Sequence, residues 1–284
     1  MIKNRSTSLA VIIFVYFLAA FCGLFTYNYL TDIYSFSYQL SLFLADLLAT
    51  IVVFIFSLIF RNASVYDPYW SVQPPVILGL ALAKVDADNP LLGCLLFAAV
   101  LFWALRLTAN WIYNFESFEY QDWRYVMLKE KTGKFYPFVN LMGIHMFPTC
   151  VVYLCVLPAV TAIAEKAAFQ PLCLLFVILS LLSAVFQGLA DIQMHRFRAS
   201  GAGGFIRTGL WKHGRHPNYA CEILMWWGIG LASVAALGWQ RFYLLAGALV
   251  NTLMFLSISI PMADKRQSRK PGFAEYKKET RMLF

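Results

Sequence analysis

The sequence predicts an all-α, polytopic transmembrane helical bundle of seven to eight membrane segments with both termini in the cytosol. Three observations carry this reading. Hydrophobic residues make up 60% of the 284 and charged residues only 13%, more apolar surface than a soluble domain of this length can bury. The apolar residues come in runs of about 20, the length a helix needs to cross a bilayer. Lysine and arginine then fall very unequally on the two sides of those runs.

Taken in order, the runs 9–30, 38–60, 91–114, 137–162, 170–190, 219–237 and 240–262 read as spans. Leu9 to Leu30 is too long for a signal-peptide core and ends without a small-residue cleavage site, so it reads as a retained helix. A shorter segment, 72–85, opens with Pro74-Pro75. It suits a re-entrant or protein-packed helix and is marginal for a full crossing; counting it gives eight segments. Of 23 Lys+Arg, seven lie in 263–284, five in 191–218 and four in 115–136. Lys3, Arg5 and Arg61 fall on that same side, whereas the other side holds only Lys84, Lys166 and Arg241. The asymmetry places the long polar loops in the cytosol, with 84–90 and 163–169 opposite. The net charge of +8 is therefore a topology signal, and no nucleic-acid partner is implied. The six cysteines lie in or beside apolar runs without a CxxC pair. They read as small buried hydrophobes, and no metal site is expected.

The chemistry concentrates where Leu210-Trp211-Lys212-His213-Gly214-Arg215-His216-Pro217-Asn218-Tyr219 meets an apolar run. Pro217 suits the first turn of a helix, where its missing N–H costs nothing. Asn218, Glu222 and Trp226 then recur every four residues along one helical face. A carboxylate at that depth is costly unless paired, which marks Glu222 as a site candidate with Arg215 as a nearby partner. Before this helix, the stretch 191–218 carries Arg196, Arg198, Arg207 and Arg215 among five glycines. Guanidiniums grip phosphate bidentately, and an extra 2′-phosphate favours NADPH over NADH. The same arginines serve equally to fix topology. No GxGxxG follows a strand, so a Rossmann site is excluded. His216, Tyr219 and Tyr276 are further hydrogen-bonding candidates, with weaker claims for His195 and His213. His145, inside an apolar span, reads as a satisfied intramembrane polar residue.

Arg215-His216-Pro217-Asn218-Tyr219, with Glu222 and Trp226-Trp227-Gly228, resembles the signature of the steroid 5-alpha-reductase-like membrane family. The nearest branch is a bacterial-type group once known only as a domain of unknown function. Asp191-Ile192-Gln193, Arg196-Phe197-Arg198, Asp122-Trp123-Arg124-Tyr125 and Asp67-Pro68-Tyr69-Trp70 add to the likeness, which covers roughly residues 65–284. The resemblance implies a helical membrane domain, 1–284, with substrate-pocket helices in 1–115 and a cofactor half in 116–284. It implies NADPH contact by Asp191, Arg198, Asn218, Glu222 and Trp226. Arg124, Arg215, His216 and Tyr219 join that set from the matched motifs. The C-terminal element Asp264-Lys265-Arg266, with Tyr276, is similar to one that completes the family's cofactor pocket, although Asp264 stands where the branch more often has Glu. Tyr120-Gln121 likewise replaces a His-Glu pair. The implied activity is NADPH-dependent reduction of an activated carbon–carbon double bond in a lipophilic, sterol- or isoprenoid-like substrate taken from the bilayer. An Arg-His-Pro-x-Tyr element is shared with isoprenylcysteine carboxyl methyltransferases. An S-adenosylmethionine-dependent methyltransferase and a non-catalytic lipid-binding protein therefore stand as alternatives.

Reducing an enone needs an acid that polarises the carbonyl. The N-terminal half offers Asp67 with Tyr69, and Asp46 inside the second span. Asp67-Pro68-Tyr69 equally fits a turn. Arg106 and Asn110, one turn apart, are expected to line the cavity or tether the 122–125 segment.

The charge asymmetry sets the first expected outcome. Reporter fusions at Lys3 and Lys278 should both register on the cytosolic side. Opposite sidedness of the two termini would remove the eight-segment arrangement.

Overall fold

The apolar runs fold into the helices their lengths require. A computed structural model describes residues 2–85 and 90–283. Part of the predicted 84–90 loop, residues 86–89, lies outside the described residues. The chain runs α1 (Arg5–Tyr34), α2 (Tyr38–Ile59), α3 (Tyr69–Lys84), α4 (Leu91–Asn114), α5 (Trp123–Thr132), α6 (Tyr136–Val139), α7 (Phe147–Ala164), α8 (Pro171–Ala199), α9 (Pro217–Leu237), α10 (Ala246–Met254), α11 (Ile260–Gln267) and α12 (Phe273–Glu279). A π segment, Asn140–Met146, fuses α6 to α7, and a second, Phe255–Ser259, fuses α10 to α11. Among the described residues, seven continuous helical runs are long and apolar enough to cross a membrane. The protein is a polytopic helical bundle.

Polar ties identify the two ends of the bundle. At one end, Arg5 Nη2 donates to the Ile112 carbonyl at 2.6 Å. There too, Asn62 Nδ2 donates to the carbonyls of Phe118 and Tyr120 at 3.0 Å each. At the other end, Lys84 Nζ reaches Asn28 Oδ1 at 3.4 Å and Arg241 pairs with Glu165 at 3.0 Å. α3 therefore connects opposite ends although its 16 residues span only about 24 Å. It is short for a bilayer and is instead packed in protein, with Leu78 and Ala81 fully buried.

Two of the boundaries that differ from the sequence expectation bear on the site. α3 begins at Tyr69 rather than 72, directly after Pro68, so Pro74 and Pro75 lie inside the helix. α8 continues to Ala199, past the predicted end at 190. The polar residues Asp191, His195 and Arg198 thus stand on a rigid helix and not on a loop. Leaving the apolar zone does not break a helix whose end still has packing partners, here Ala190, Ile206 and Trp211 in one cluster.

The main core lies between α3, α4, α7, α8 and α9, around Trp103, Trp226, Val156 and Ile229. α1 and α2 share a second cluster around Val15 and Val53 with the turn at Val65 and Tyr66. Phe14, Phe17, Phe21 and Phe25 recur along the exposed face of α1, at the spacing of one helical stripe.

Small residues set the closest helix approaches, as membrane bundles require. A Cβ on Gly247 would stand 2.1 Å from the Leu154 carbonyl oxygen and 2.5 Å from the Cys155 nitrogen. Backbone cannot yield there, so α10 would have to leave α7. Gly247→Ala should lower the thermal midpoint in detergent by the equivalent of about 1–3 kcal/mol. Gly79→Ala, whose Cβ would meet only Phe97 at 3.6 Å, should leave the midpoint near wild type. Equal midpoints for the two variants would show that the α7–α10 contact does not limit stability.

Candidate functional site

Helical spacing builds three polar ladders that face one another. α4 presents Trp103, Arg106 and Asn110; α8 presents Gln187, Asp191 and His195; α9 presents Asn218, Glu222 and Trp226. Residues three or four apart share a helical face, so each ladder climbs one turn at a time. The innermost rungs meet at Glu222, which is 1% exposed. Its Oε2 accepts from Trp103 Nε1 at 2.8 Å and from Gln187 Nε2 at 2.7 Å, and its Oε1 accepts from Trp226 Nε1 at 3.0 Å. One turn outward, Arg106 Nη1 donates to Asp191 Oδ2 at 2.8 Å. One turn further, His195 Nε2 pairs with Asn110 Oδ1 at 2.7 Å.

Above the ladders opens a cavity of about 330 Å³ at the end of the bundle that carries the chain termini. Its wall includes Asp191, Arg198, Arg215, His216, Asn218, Tyr219 and Tyr276, which brings together most of the residues singled out by sequence. Asp264 closes one side. Its carboxylate accepts from Arg215 Nε at 3.2 Å to each oxygen, lies 2.9 Å from His216 Nε2, and pairs with Lys277 at 3.5 Å. Arg215 also holds the C-terminal segment, donating Nη1 to the Thr280 carbonyl at 3.1 Å. Burial lowers the pKa of the His216 imidazole, against the opposing pull of Asp264. The ring is therefore neutral near pH 7 and one nitrogen remains an acceptor. Phe205 and Tyr276 stack at 4.7 Å with their planes 9° apart, and Lys270 lies over Phe205 at 5.9 Å. The Arg198 side chain lines the wall, and its guanidinium has no hydrogen bond or ion pair among the described residues.

Four expected cofactor residues stand outside this wall. Glu222 lies one rung below, and its expected partner Arg215 is taken by Asp264. The physical reason is depth: indole and amide donors reach the second turn of α9, whereas Arg215 precedes the helix and points to α11. Trp226 serves Glu222. Arg124 binds Asp122 at 2.8 Å and lies 4.0 Å from Asp67. Arg266 stacks over Trp123 at 4.6 Å. The wall also contains Phe205, Gln267, Lys270 and Phe273, which sequence reasoning passed over. Aromatic and basic residues in a polar segment carry no periodicity that would single them out.

A second polar group lies between α2, α3 and α7. Tyr69 Oη donates to Asp46 Oδ1 at 3.4 Å, and Gln73 Nε2 donates to Asp46 Oδ2 at 2.5 Å. Tyr66 Oη meets Thr149 Oγ1 at 2.9 Å, and Thr149 meets Thr50 at 3.0 Å. Asp67 and Tyr69 do not form the expected pair. Two positions apart at a helix start, they face different ways, and Asp67 instead accepts from Tyr125 Oη at 2.5 Å. Burial pushes the Asp67 carboxyl up to about 6, although Arg124 pulls the other way. Trp70, next to Tyr69, packs edge-on to Trp103 at 6.4 Å, and Trp103 packs edge-on to Trp226 at 4.9 Å. The Glu222 cage thus adjoins both polar sites.

Comparison with known proteins gives one family and one distant relative. A family model described as "Protein of unknown function (DUF1295)" matches residues 53–280. The uncharacterized protein C594.04c of Schizosaccharomyces pombe is 27% identical over 217 residues, which cover 64% of this chain and 62% of that protein's length. No solved structure matches.

The cage around Glu222 sets its mutant behaviour. Glu222→Gln would turn an amide NH₂ toward an indole N–H, leaving at least one buried donor unpaired at about 1–3 kcal/mol. The variant should fold and insert but melt earlier. Glu222→Ala should melt earlier still. A Gln variant with the wild-type midpoint would mean the three donors do not depend on the carboxylate.

Proposed function

The chain belongs to the DUF1295 family, and from that premise and its two polar sites we propose that it is an NADPH-dependent membrane reductase. The proposed substrate carries an activated carbon–carbon double bond on a lipophilic, sterol- or isoprenoid-like body. The supporting observation is the unpaired Arg198 guanidinium in the wall of a cavity whose one C-terminal carboxylate, Asp264, is already neutralised by Arg215 and Lys277. A free cation beside a compensated acid favours an anion. The cavity volume falls at the lower end of the roughly 300–1,000 Å³ range of small-molecule sites. The residues fit a nucleotide phosphate: Arg198 offers a bidentate grip, and Gly204 has nothing within 4 Å of where a Cβ would stand. The stacked Phe205 and Tyr276 rings, with Lys270 over Phe205, add an aromatic and basic edge to the wall. The motif likeness to steroid 5-alpha-reductase-like proteins supports the same assignment, with the cavity on the cytosolic face.

NADPH, when bound, supplies the hydride. The chain supplies the rest. Gln73 holds Asp46, and Asp46 holds the buried Tyr69 hydroxyl; turned from Asp46 to a bound substrate, that hydroxyl is the proposed donor to a carbonyl oxygen. Asp67, committed to Tyr125, anchors α5 over the same region. The Glu222 cage fixes α4, α8 and α9 in register between the two sites.

Nucleotide binding to the purified protein tests this directly. NADPH should be retained and should quench tryptophan fluorescence. Arg198→Ala should weaken NADPH by about tenfold or more and NADH less, since a charge-assisted contact contributes about 1.5–3 kcal/mol. Retention of S-adenosylmethionine instead would support methyl transfer. Retention of neither nucleotide would leave a lipid-binding role. Equal NADPH affinity in wild type and Arg198→Ala would assign the cation to topology.

A further inference from the structure

A smaller cavity of about 120 Å³ lies apart from both polar sites, between the end of α2 and the α5–α7 segment. Its wall includes Ser57, Arg61, Lys129, Tyr136 and Asn140, two cations and no carboxylate. Its volume is well beyond the ~10–15 Å³ that one water needs. Neither cation has an acidic partner among the described residues.

The floor adds an open polar atom. Asn140 is 2% exposed and donates Nδ2 to Ser57 Oγ at 3.1 Å, but its Oδ1 has no partner. A buried amide oxygen left unpaired is costly. Asn140 also opens the π segment, and π turns recur at functional sites. Arg61 stands in the left-handed region at φ 52°. There it closes α2, with its N–H on Leu58 and the Asn62 N–H on Ser57. Glycine is the usual residue at such a position, and a side chain there is strained. The chain accepts this strain at the position that places a guanidinium at the cavity. Beside Tyr136, Phe135 and Phe138 are 76% and 64% exposed, as interfacial aromatics are.

We propose that this cavity binds the headgroup of an anionic phospholipid. The phosphate sits between Arg61 and Lys129, a headgroup hydroxyl donates to Asn140 Oδ1, and the acyl chains lie along Phe135 and Phe138. Two cations lining one cavity suit a phosphate ester, and the unpaired acceptor suits the hydroxyl of a glycerol headgroup. The flanking aromatics point to a lipid source over a soluble ester. The site is independent of the nucleotide reading.

The test uses the full chain in nanodiscs of phosphatidylcholine with a minor fraction of phosphatidylglycerol. Lipid retained after transfer to detergent is measured by native mass spectrometry. Wild type should retain phosphatidylglycerol in preference to phosphatidylcholine. Arg61→Gly removes the cation and suits the positive φ, so the turn stays intact. It should cut phosphatidylglycerol retention about tenfold with a thermal midpoint no lower than that of wild type, since glycine relieves the strain at this φ. Lys129→Gln should act in the same direction. Glycerol 3-phosphate should not displace the lipid. Full displacement by it, with no preference between the two lipids, would overturn the lipid assignment in favour of a soluble phosphate ester. Equal phosphatidylglycerol retention in wild type and both variants would overturn the site.

Discussion

The structure depends on satisfying one buried carboxylate. Glu222 has no cation beside it, and an uncompensated charge in an apolar core costs several kcal/mol. Three N–H donors replace the water it lost: one from its own helix and one each from α4 and α8. All three must arrive together, so the carboxylate sets the register of three helices at once. A slip of one helix by a turn, about 5.4 Å, would withdraw its donor. It would also break the Arg106–Asp191 and Asn110–His195 rungs above. The wall of the larger cavity inherits its geometry from this cage, one turn at a time.

The cage has a second side. Trp103 donates its N–H to Glu222 while its ring packs on Trp70, the neighbour of Tyr69. The intramembrane group around Asp46 and the end cavity around Asp264 are therefore held by one rigid partition. Under the proposed reading, a hydride donor on one side must meet an acceptor oriented from the other, and a 1 Å error in such an arrangement is costly. Rigid indoles wedged between helices limit that error better than flexible aliphatic side chains would.

Much of this was legible in the sequence because hydropathy and helical period are local. Six of the seven spans lie within a few residues of their expected positions at the start, and Pro217 opens α9 as its chemistry requires. The stripe Asn218, Glu222 and Trp226 marked the ladder on α9. Its partners were harder to see, since the donors to Glu222 come from 119 and 35 residues away. Matching four-residue spacings on separate helices, 106/110 and 191/195, are a signal only once the helices are known to face each other. Proximity in sequence misled in one place. Asp67 and Tyr69 are two residues apart and share a motif, yet the helix start at Tyr69 turns them toward α5 and α2 respectively. Charge misled in another: polar residues after 190 read as loop, although α8 carries them as helix.

The C-terminal segment shows why charge placement matters more than charge number here. Asp264 gathers Arg215, His216 and Lys277, and the Arg215 N–H also bonds to the Arg281 carbonyl at 3.0 Å. The segment beyond α11 thus folds back on the entry to α9 and forms part of the cavity wall through Phe273 and Tyr276. With His216 neutral, two full positive charges face one negative charge. The clamp therefore leaves a positive surplus on one side of the cavity, and Arg198 adds to it from α8. These residues fall in the two tracts whose basic composition underlies the predicted membrane sidedness. The charges whose asymmetry predicts the orientation of the chain are also arranged, by a single aspartate and a helix that runs past the apolar zone, into the positive wall on which the proposed anion site rests.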